Sequence, residues 1–502
     1  MTGCALGFFM PAVSQNAHAD ILPWLATQVN DPFHAEKKAK SLVEQDLKPD
    51  HCGALPGDNH KLTFEEVVIA SLCHNPDAIA AYFNLLNQAS SYMGNYSEYL
   101  PTITASGSRT RTKVTSPGTS ISTLDPTTDT IISSSANATT FSGSYDVSAG
   151  LTLYDFGQRE FKIEIAELSL AGSGMSYNST LQGMIASALQ AYYALLTAQN
   201  ALGVTQESEQ FAKESYDAAA LRHQIGQVPL ADELQAKASY SGAQLATEQA
   251  VNQLTQAQAA LALLMGLPAD TPLAVADIRD DTLANDPFGG NVQSLMAKAK
   301  QSRLDLLSSR LALKSSEISL KSLERSDFAT VSATANMDVG NDKVDVFNRN
   351  GTRSNAIGVN VSIPIFTGFS QLYSERAARE SLEAQKQSLI KTELTVEQDV
   401  WNSWHNYETA KLSWKTSQDQ FDTAVLLKDV TLGRYKEGLG SILDVLNAET
   451  QYSSALQSRL QTRYSLLTSR IDLVRAVGVL NLDTMCPQTT TAVAPAAPTA
   501  KE

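Results

Sequence analysis

The residue types that most often carry out chemistry are thinly spread along this chain. Its seven histidines are scattered, and no H-E-x-x-H, C-x-x-C, G-x-S-x-G or Walker pattern occurs in the 502 residues. An enzyme is not expected, and no cofactor or metal is called for. What stands out instead are two carboxylates in matching places, Asp232 after Gly226 and Asp444 after Gly438. Asp444 follows Ser441 by three, the spacing of the acidic member of a helix-start capping arrangement, where the helix dipole favours its charge.

Thiol chemistry is the other possibility. Residues 4–13 form an apolar run and Ala17-His18-Ala19 precedes Asp20, which reads as a signal peptide over residues 1–19 and implies export. Cys4 sits in a faint lipobox, although the apolar run follows it instead of preceding it. Export permits disulfides, and Cys52 with Cys73 is the pair well inside the mature chain, with Cys486 in a Pro/Ala/Thr tail as the alternative partner. A Cys52–Cys73 bridge is expected.

These residues need elements to hold them. From Phe141 to Leu153 the odd positions are apolar or small (Phe141, Tyr145, Val147, Leu151, Leu153), and the even ones are mostly polar (Ser142, Ser144, Asp146, Ser148, Thr152). That alternation is a two-faced strand, long enough to cross a bilayer as part of a barrel, which takes about 9 to 11 tilted residues. Val331 to Val339 and Ile357 to Ile365 alternate in the same way, and residues 101–112 do so more weakly. Four candidate strands in two hairpins result. A soluble four-stranded sheet with one wet face is the plainer reading of the same pattern.

Composition narrows the choice. Aromatics are only 7%, and the bulk is Ala, Leu, Gln, Ser, Glu and Lys, which suits long helices better than packed globules. A formal charge of -15 argues against nucleic acid as a partner and for solubility or cation preference. No run of 18 apolar residues occurs, so a membrane crossing must be made by a barrel. Residues 158–224 contain no proline and predict one helix on the order of 100 Å long at ~1.5 Å per residue. Gly226, Val228 and Pro229 break it, and a return helix ends at Gly266-Leu267-Pro268. Apolar stripes on the helices, Val396, Val400, Trp404, Tyr407 and Trp414 in one and Phe161, Ile165, Leu168 and Met175 in another, are expected to be packing seams.

The chain then repeats itself. Leu153 and Ile365, Arg222 and Arg434, Gly226 and Gly438, Asp232 and Asp444, Tyr240 and Tyr452, and Gly266 and Gly478 share one constant offset in numbering, from 365 − 153 through to 478 − 266. The predicted organisation is a signal peptide (1–19), an N-terminal segment (20–60), a first repeat (61–285), a second repeat (286–480) and a disordered C-terminal tail (481–502). The first repeat holds strands near 101–114 and 139–154 and a helix hairpin over 158–266. The second holds strands near 328–340 and 355–366 and a hairpin over 369–478.

Leu153-Tyr154-Asp155-Phe156-Gly157, Pro364-Ile365-Phe366-Thr367-Gly368, Arg222 with Gly226 and Asp232, and Arg434-Tyr435 with Gly438 and residues 442–446 resemble the TolC family of outer-membrane efflux and secretion channels. The resemblance runs through both halves, over roughly residues 60 to 480. It implies a mixed α and β fold: a homotrimer in which four strands per chain build one 12-stranded outer-membrane β-barrel, continued by a long periplasmic α-helical barrel. Such a protein sits in Gram-negative outer-membrane lipid as a passive exit duct. Its partners are a periplasmic adaptor protein and an inner-membrane pump or ABC transporter. The small-molecule efflux duct is the expected function; a type I protein-secretion channel is the alternative within the class, and a soluble elongated helical scaffold the alternative outside it.

The resemblance also places a site. The adaptor would meet the two interhelix turns at Gly226, Val228, Gly438 and Leu439. Asp444 would form an acidic ring at the periplasmic constriction, where like charges around one axis repel each other and favour cations. The family's second ring aspartate falls on Asn447. The tyrosine and aspartate of the closed-tip lock fall on Tyr435 and Asp232, which implies a hydrogen bond between them, while the lock's basic residue falls on Gly440.

Overall fold

The computed structural model describes residues 37–38, 41, 61–115, 121–124, 131–134, 137–277, 291–344, 348–437 and 439–480. The signal peptide, Cys4, Cys52, Gly438 and the tail over 481–502 lie outside the described residues. The elements, in chain order, are β1 (Lys61–Leu62), α1 (Phe64–His74), α2 (Pro76–Gly94), β2 (Thr102–Thr115), β3 (Ile121–Leu124), β4 (Ile131–Ser134), β5 (Asn137–Tyr154), α3 (Gln158–Gln224), α4 (Leu230–Leu264), β6 (Ala274–Val275), α5 (Val292–Ser302), α6 (Leu304–Glu324), β7 (Thr330–Val344), β8 (Asn348–Ser362), α7 (Ser370–Lys436) and α8 (Ile442–Val477). The chain divides into two compact units: Leu86–Glu167 with Ser315–Glu380 belongs to one, and Leu168–Lys314 is the middle of the other.

The first unit holds the sheet. Its order is β2-β5-β7-β8, every pair antiparallel. Register puts Ile103, Val147, Met337 and Ile357 on one face, and Thr104, Ser148, Asn336 and Thr334 on the other. The apolar face is bare: Ile357 is 91% exposed and Tyr145 72%. The polar face is stitched by hydroxyl pairs, Thr104 with Ser148 and Ser108 with Ser144, each at 2.7 Å.

The fourth strand departs from expectation. It begins at Asn348 and stops at Ser362, not over 355–366, because the β7 ladder ends at the Thr330–Ser362 rung and Pro364 has no N–H to extend it. Its early start was hidden because Arg349, Gly351, Arg353 and Asn355 stand on the parity that is apolar from Ile357 onward, which breaks the apolar pattern without breaking the backbone pairing. The two-stranded β3–β4 sheet and the parallel β1–β6 pair carry too few residues to show a period.

Each repeat turns from strand to helix through two consecutive left-handed residues. These are Phe156 (φ 54°) and Gly157 (φ 91°) in the first, and Gly368 (φ 65°) and Phe369 (φ 63°) in the second, at the repeat offset but with glycine and phenylalanine exchanged. A phenylalanine there costs roughly 1–2 kcal/mol, so it must be held. Phe156 packs edge-on against Tyr154 and Phe328 at 4.7 and 5.3 Å, and Phe369 against Phe366 at 5.4 Å. Beside the first corner, the buried Arg159 donates to Asp155 (3.0 Å) and to the Thr152 carbonyl (2.9 Å), with its guanidinium over the Tyr99 ring.

The second unit holds the helical hairpins α3–α4 and α7–α8 apart from the first turns of α3 and α7, which belong to the first unit. Val396, Val400 and Tyr407 of α7 are buried against Leu466, Leu473 and Val477 of α8 and Leu306 of α6, with Trp404 and Trp414 packed on the rim. In each repeat a short helix stops where its capping residue meets the end of a hairpin. Asn75 donates from its side chain to the Leu264 carbonyl at 3.0 Å, and Arg303 donates at 3.3 Å to the carbonyl of Ala476, the counterpart of Leu264 in the second repeat. The adjoining Gly266 and Gly478 have φ of 70° and 77°; a Cβ at Gly266 would lie 2.5 Å from the His74 carbonyl oxygen.

Candidate functional site

The interhelix turns are built alike. At the end of α3, the Gly226 N–H donates to the His223 carbonyl (2.9 Å) and the Gln227 N–H to the Arg222 carbonyl (2.8 Å), with Gly226 at φ 72°. That pair of hydrogen bonds across a left-handed residue is the usual helix stop. At the end of α7, the Leu439 N–H donates to the Arg434 carbonyl (2.9 Å), the second repeat's version of the Gln227–Arg222 bond. The turns differ in their side chains. His223 Nδ1 donates to the Val228 carbonyl (3.1 Å) and its Nε2 lies 3.9 Å from Glu233, whereas the second turn is spanned by Arg434 Nη2 donating to the Leu439 carbonyl at 3.5 Å.

The helices leaving the turns start differently as well. Ser441 and Asp444 form a reciprocal capping box: the Asp444 N–H donates to Ser441 Oγ and the Ser441 N–H to the Asp444 carboxylate, both at 3.2 Å. Asp444 and Asn447 are exposed, while Ile442, Val445 and Leu446 are buried. In the first repeat Pro229 stands where Ser441 does and caps nothing with its side chain, so the carboxylate of Asp232 is not held in a capping box.

The expected Tyr435–Asp232 hydrogen bond is not among the contacts of the described residues. Tyr435 is half-buried and its ring lies under Arg222, whose guanidinium carbon is 4.6 Å from the ring centroid. A guanidinium on a ring face is attracted by the ring quadrupole, so the contact uses the face of the tyrosine and leaves its hydroxyl out. Arg222 joins the last turn of α3 to the last turn of α7, and so ties one hairpin to the other.

A second tie lies farther from the turns. Lys428 of α7 and Glu449 of α8 form a largely buried ion pair at 3.0 Å; Ser208 of α3 donates to the same carboxylate at 3.1 Å, and the Lys428 ammonium lies 4.0 Å from the Tyr452 ring centroid. Burial raises the Tyr452 pKa, Glu207 adds to the rise and Lys428 opposes it. Sequence reasoning passed over Lys428 and Glu449 because a Lys and a Glu on polar helices read as solvated; only the repeat partner Tyr240–Tyr452 pointed near them. Cys73 is disulfide-bonded, and the chain's other cysteines lie outside the described residues. Among the described residues no cluster of His, Cys, Asp and Glu has the form of a metal site, and no helix is long and apolar enough to cross a membrane.

A sheet with a bare apolar face, together with paired long helical hairpins in a twofold repeat, is the architecture expected of an outer-membrane efflux protein. The family model for outer membrane efflux proteins matches residues 68–267 and 295–479. The chain belongs to the outer membrane efflux protein family. It is 26% identical over 345 residues to protein CyaE of Bordetella pertussis, covering 66% of this chain and 70% of that protein. It is 24% identical over 421 residues to the probable efflux pump outer membrane protein TtgC of Pseudomonas putida, covering 84% and 83%. Among solved structures, CusC superposes with a TM-score of 0.67 at 18% identity, over 83% of this chain and 92% of that one. The chain is therefore an outer membrane efflux protein by family, with the fold of CusC.

Proposed function

We propose that the chain is one third of a passive exit duct, the outer-membrane part of a tripartite efflux pump that passes small molecules outward. The observation that carries this reading is the open sheet. Its edge strands β2 and β8, of 14 and 15 residues, are each paired on one side only among the described residues, while its outer face is bare and apolar. Unpaired edges are not tolerated in lipid, and three copies joined β8 to β2 remove all of them in a 12-stranded barrel.

In this reading the hairpin turns are the periplasmic entrance. Ile225, Leu230, Leu439 and Leu443 are each at least half exposed there, which suits contact with a periplasmic adaptor and an inner-membrane pump. Arg222–Tyr435 keeps the entrance narrow, and Asp444, on the exposed side of α8 with Asn447, forms the acidic ring. The Cys52–Cys73 bridge belongs to the same proposal as the fastener of the N-terminal segment. The duct performs no chemistry and uses no cofactor.

The test is complementation of a strain lacking its outer-membrane efflux channel, with single-channel recording of the purified protein. Restored drug resistance and a cation-preferring pore are expected. A protein that forms no pore in a planar bilayer contradicts the proposal.

A further inference from the structure

The two faces of the sheet separate charge as cleanly as polarity. By register, Arg109, Arg111 and Lys113 of β2 share the apolar face with Phe141 and Tyr145 of β5, and Arg353 of β8 joins it opposite Val339. All four cations are exposed, and the Arg111 guanidinium lies 5.4 Å from the Phe141 ring centroid. The register row of Arg111 and Phe141 continues through Lys343 to Arg349. The opposite face carries Asp146 and Asp338, which are register partners. Among the strand residues of β2, β5, β7 and β8 on the apolar parity there is no acid at all, in a chain whose net charge is -15.

Position sharpens the point. The cations cluster at the hairpin ends of the strands, away from the helices. From Phe141, in the Arg111 row, to Leu153 is about 40 Å of strand at ~3.4 Å per residue, or about 30 Å along the membrane normal at a tilt near 40°. That is one hydrocarbon thickness. With Leu153 at the helix-side boundary, the Arg111 row lies at headgroup depth in the outer leaflet, where a lipid-facing cation costs little.

We propose that this basic girdle binds the phosphate groups of phosphorylated glycolipid in the outer leaflet, fixing the height of the barrel in the membrane. The inference rests on the outer-membrane barrel reading above and goes beyond it. Charge complementarity chooses the occupant: three of the four exposed cations, Arg109, Arg111 and Arg353, are arginines, whose planar fork matches a phosphate bidentately, and the face offers the apolar surface that acyl chains require. An acidic protein loop or free phosphate would use the cations but leave the Tyr145 ring and the adjoining row of Ala105, Val147 and Met337 uncovered.

The experiment uses the full-length protein in mild-detergent micelles doped with a bis-phosphorylated diglucosamine glycolipid or its dephosphorylated form, with retained lipid counted by native mass spectrometry. Wild type should retain the phosphorylated lipid roughly tenfold better than the dephosphorylated one, and the combined Arg109→Gln, Arg111→Gln, Lys113→Gln and Arg353→Gln variant should lose that preference. Arg111→Gln alone should lose part of it, which keeps the test decisive where the combined variant does not assemble. Equal retention of both lipids by wild type, an unchanged preference in the variants, or displacement of the lipid by inorganic phosphate would overturn the proposal. The subunit count in the same spectra separates the two readings. An intact assembly without phosphate preference counts against the girdle alone, whereas a wild-type chain that does not assemble counts against the barrel.

Discussion

Arg222 and Tyr435, each in its own half of the repeat, meet with the guanidinium 4.6 Å from the ring centroid and join the ends of the two long helices α3 and α7. The contact needs the ring and not the hydroxyl. Tyr435→Phe should therefore leave conductance and antibiotic leak near wild type, whereas Tyr435→Leu and Arg222→Gln should raise both. The loss is about 0.5–1 kcal/mol per contact, enough to shift a closed–open balance severalfold. Conductance of single channels reads the effect, and a leak in Tyr435→Phe as large as in Tyr435→Leu would mean that the hydroxyl holds the gate.

Asp444 carries two roles that mutation can separate. Ser441→Ala removes the capping box and should cost about 1 kcal/mol of stability without altering ion preference. Asp444→Asn keeps an acceptor for the Ser441 N–H while removing the charge, so it should lower cation selectivity and weaken block by multivalent cations at little cost in thermal stability. Selectivity that survives Asp444→Asn unchanged would leave the carboxylate with its cap alone.

The Lys428–Glu449 pair should behave as a buried ion pair. Lys428→Met leaves the Glu449 charge unpaired beside Ser208, Glu449→Leu leaves the Lys428 charge over Tyr452, and each should destabilise by about 3–5 kcal/mol. The double variant should recover much of that loss. Thermal melts of the four proteins form the cycle, and additive single-site losses would show that the two groups do not act on each other.

The hairpin ends test the repeat. A Cβ at Gly266 would strike the His74 carbonyl oxygen at 2.5 Å on a backbone at φ 70°. Gly266→Ala should cost more than about 2 kcal/mol and cut the folded yield, and Asn75→Ala, which frees the Leu264 carbonyl, about 1 kcal/mol. Refolding yield with protease resistance measures both; a Gly266→Ala protein as resistant as wild type would contradict the close approach.

The sequence disclosed what is periodic. Alternation marked the four strands because one face of each is apolar or small over its helix-side part, and the constant offset marked the repeat because turns and corners depend on particular residues such as Gly226 and Gly266. The hairpin end of β8 was hidden: Gly351, Arg353 and Asn355 take the apolar parity there, and they pair through their backbones with no apolar side chain to advertise it. The site was legible only in part. Asp444 announced its cap through Ser441, but a side chain that crosses from one helix to another leaves no local spacing, so the partners Arg222–Tyr435, between hairpins, and Lys428–Glu449, within one, emerged only once the helices were side by side. The corner residues Phe156 and Phe369 were hidden for another reason, since phenylalanine gives no warning of a left-handed backbone.

The central claim is that four strands per chain become a barrel only as three copies. Native mass spectrometry of the full-length protein, extracted from outer membranes in mild detergent, tests it most directly. The account predicts a single assembly of three chains that needs detergent to stay in solution; a detergent-free monomer, monodisperse in buffer, would contradict it.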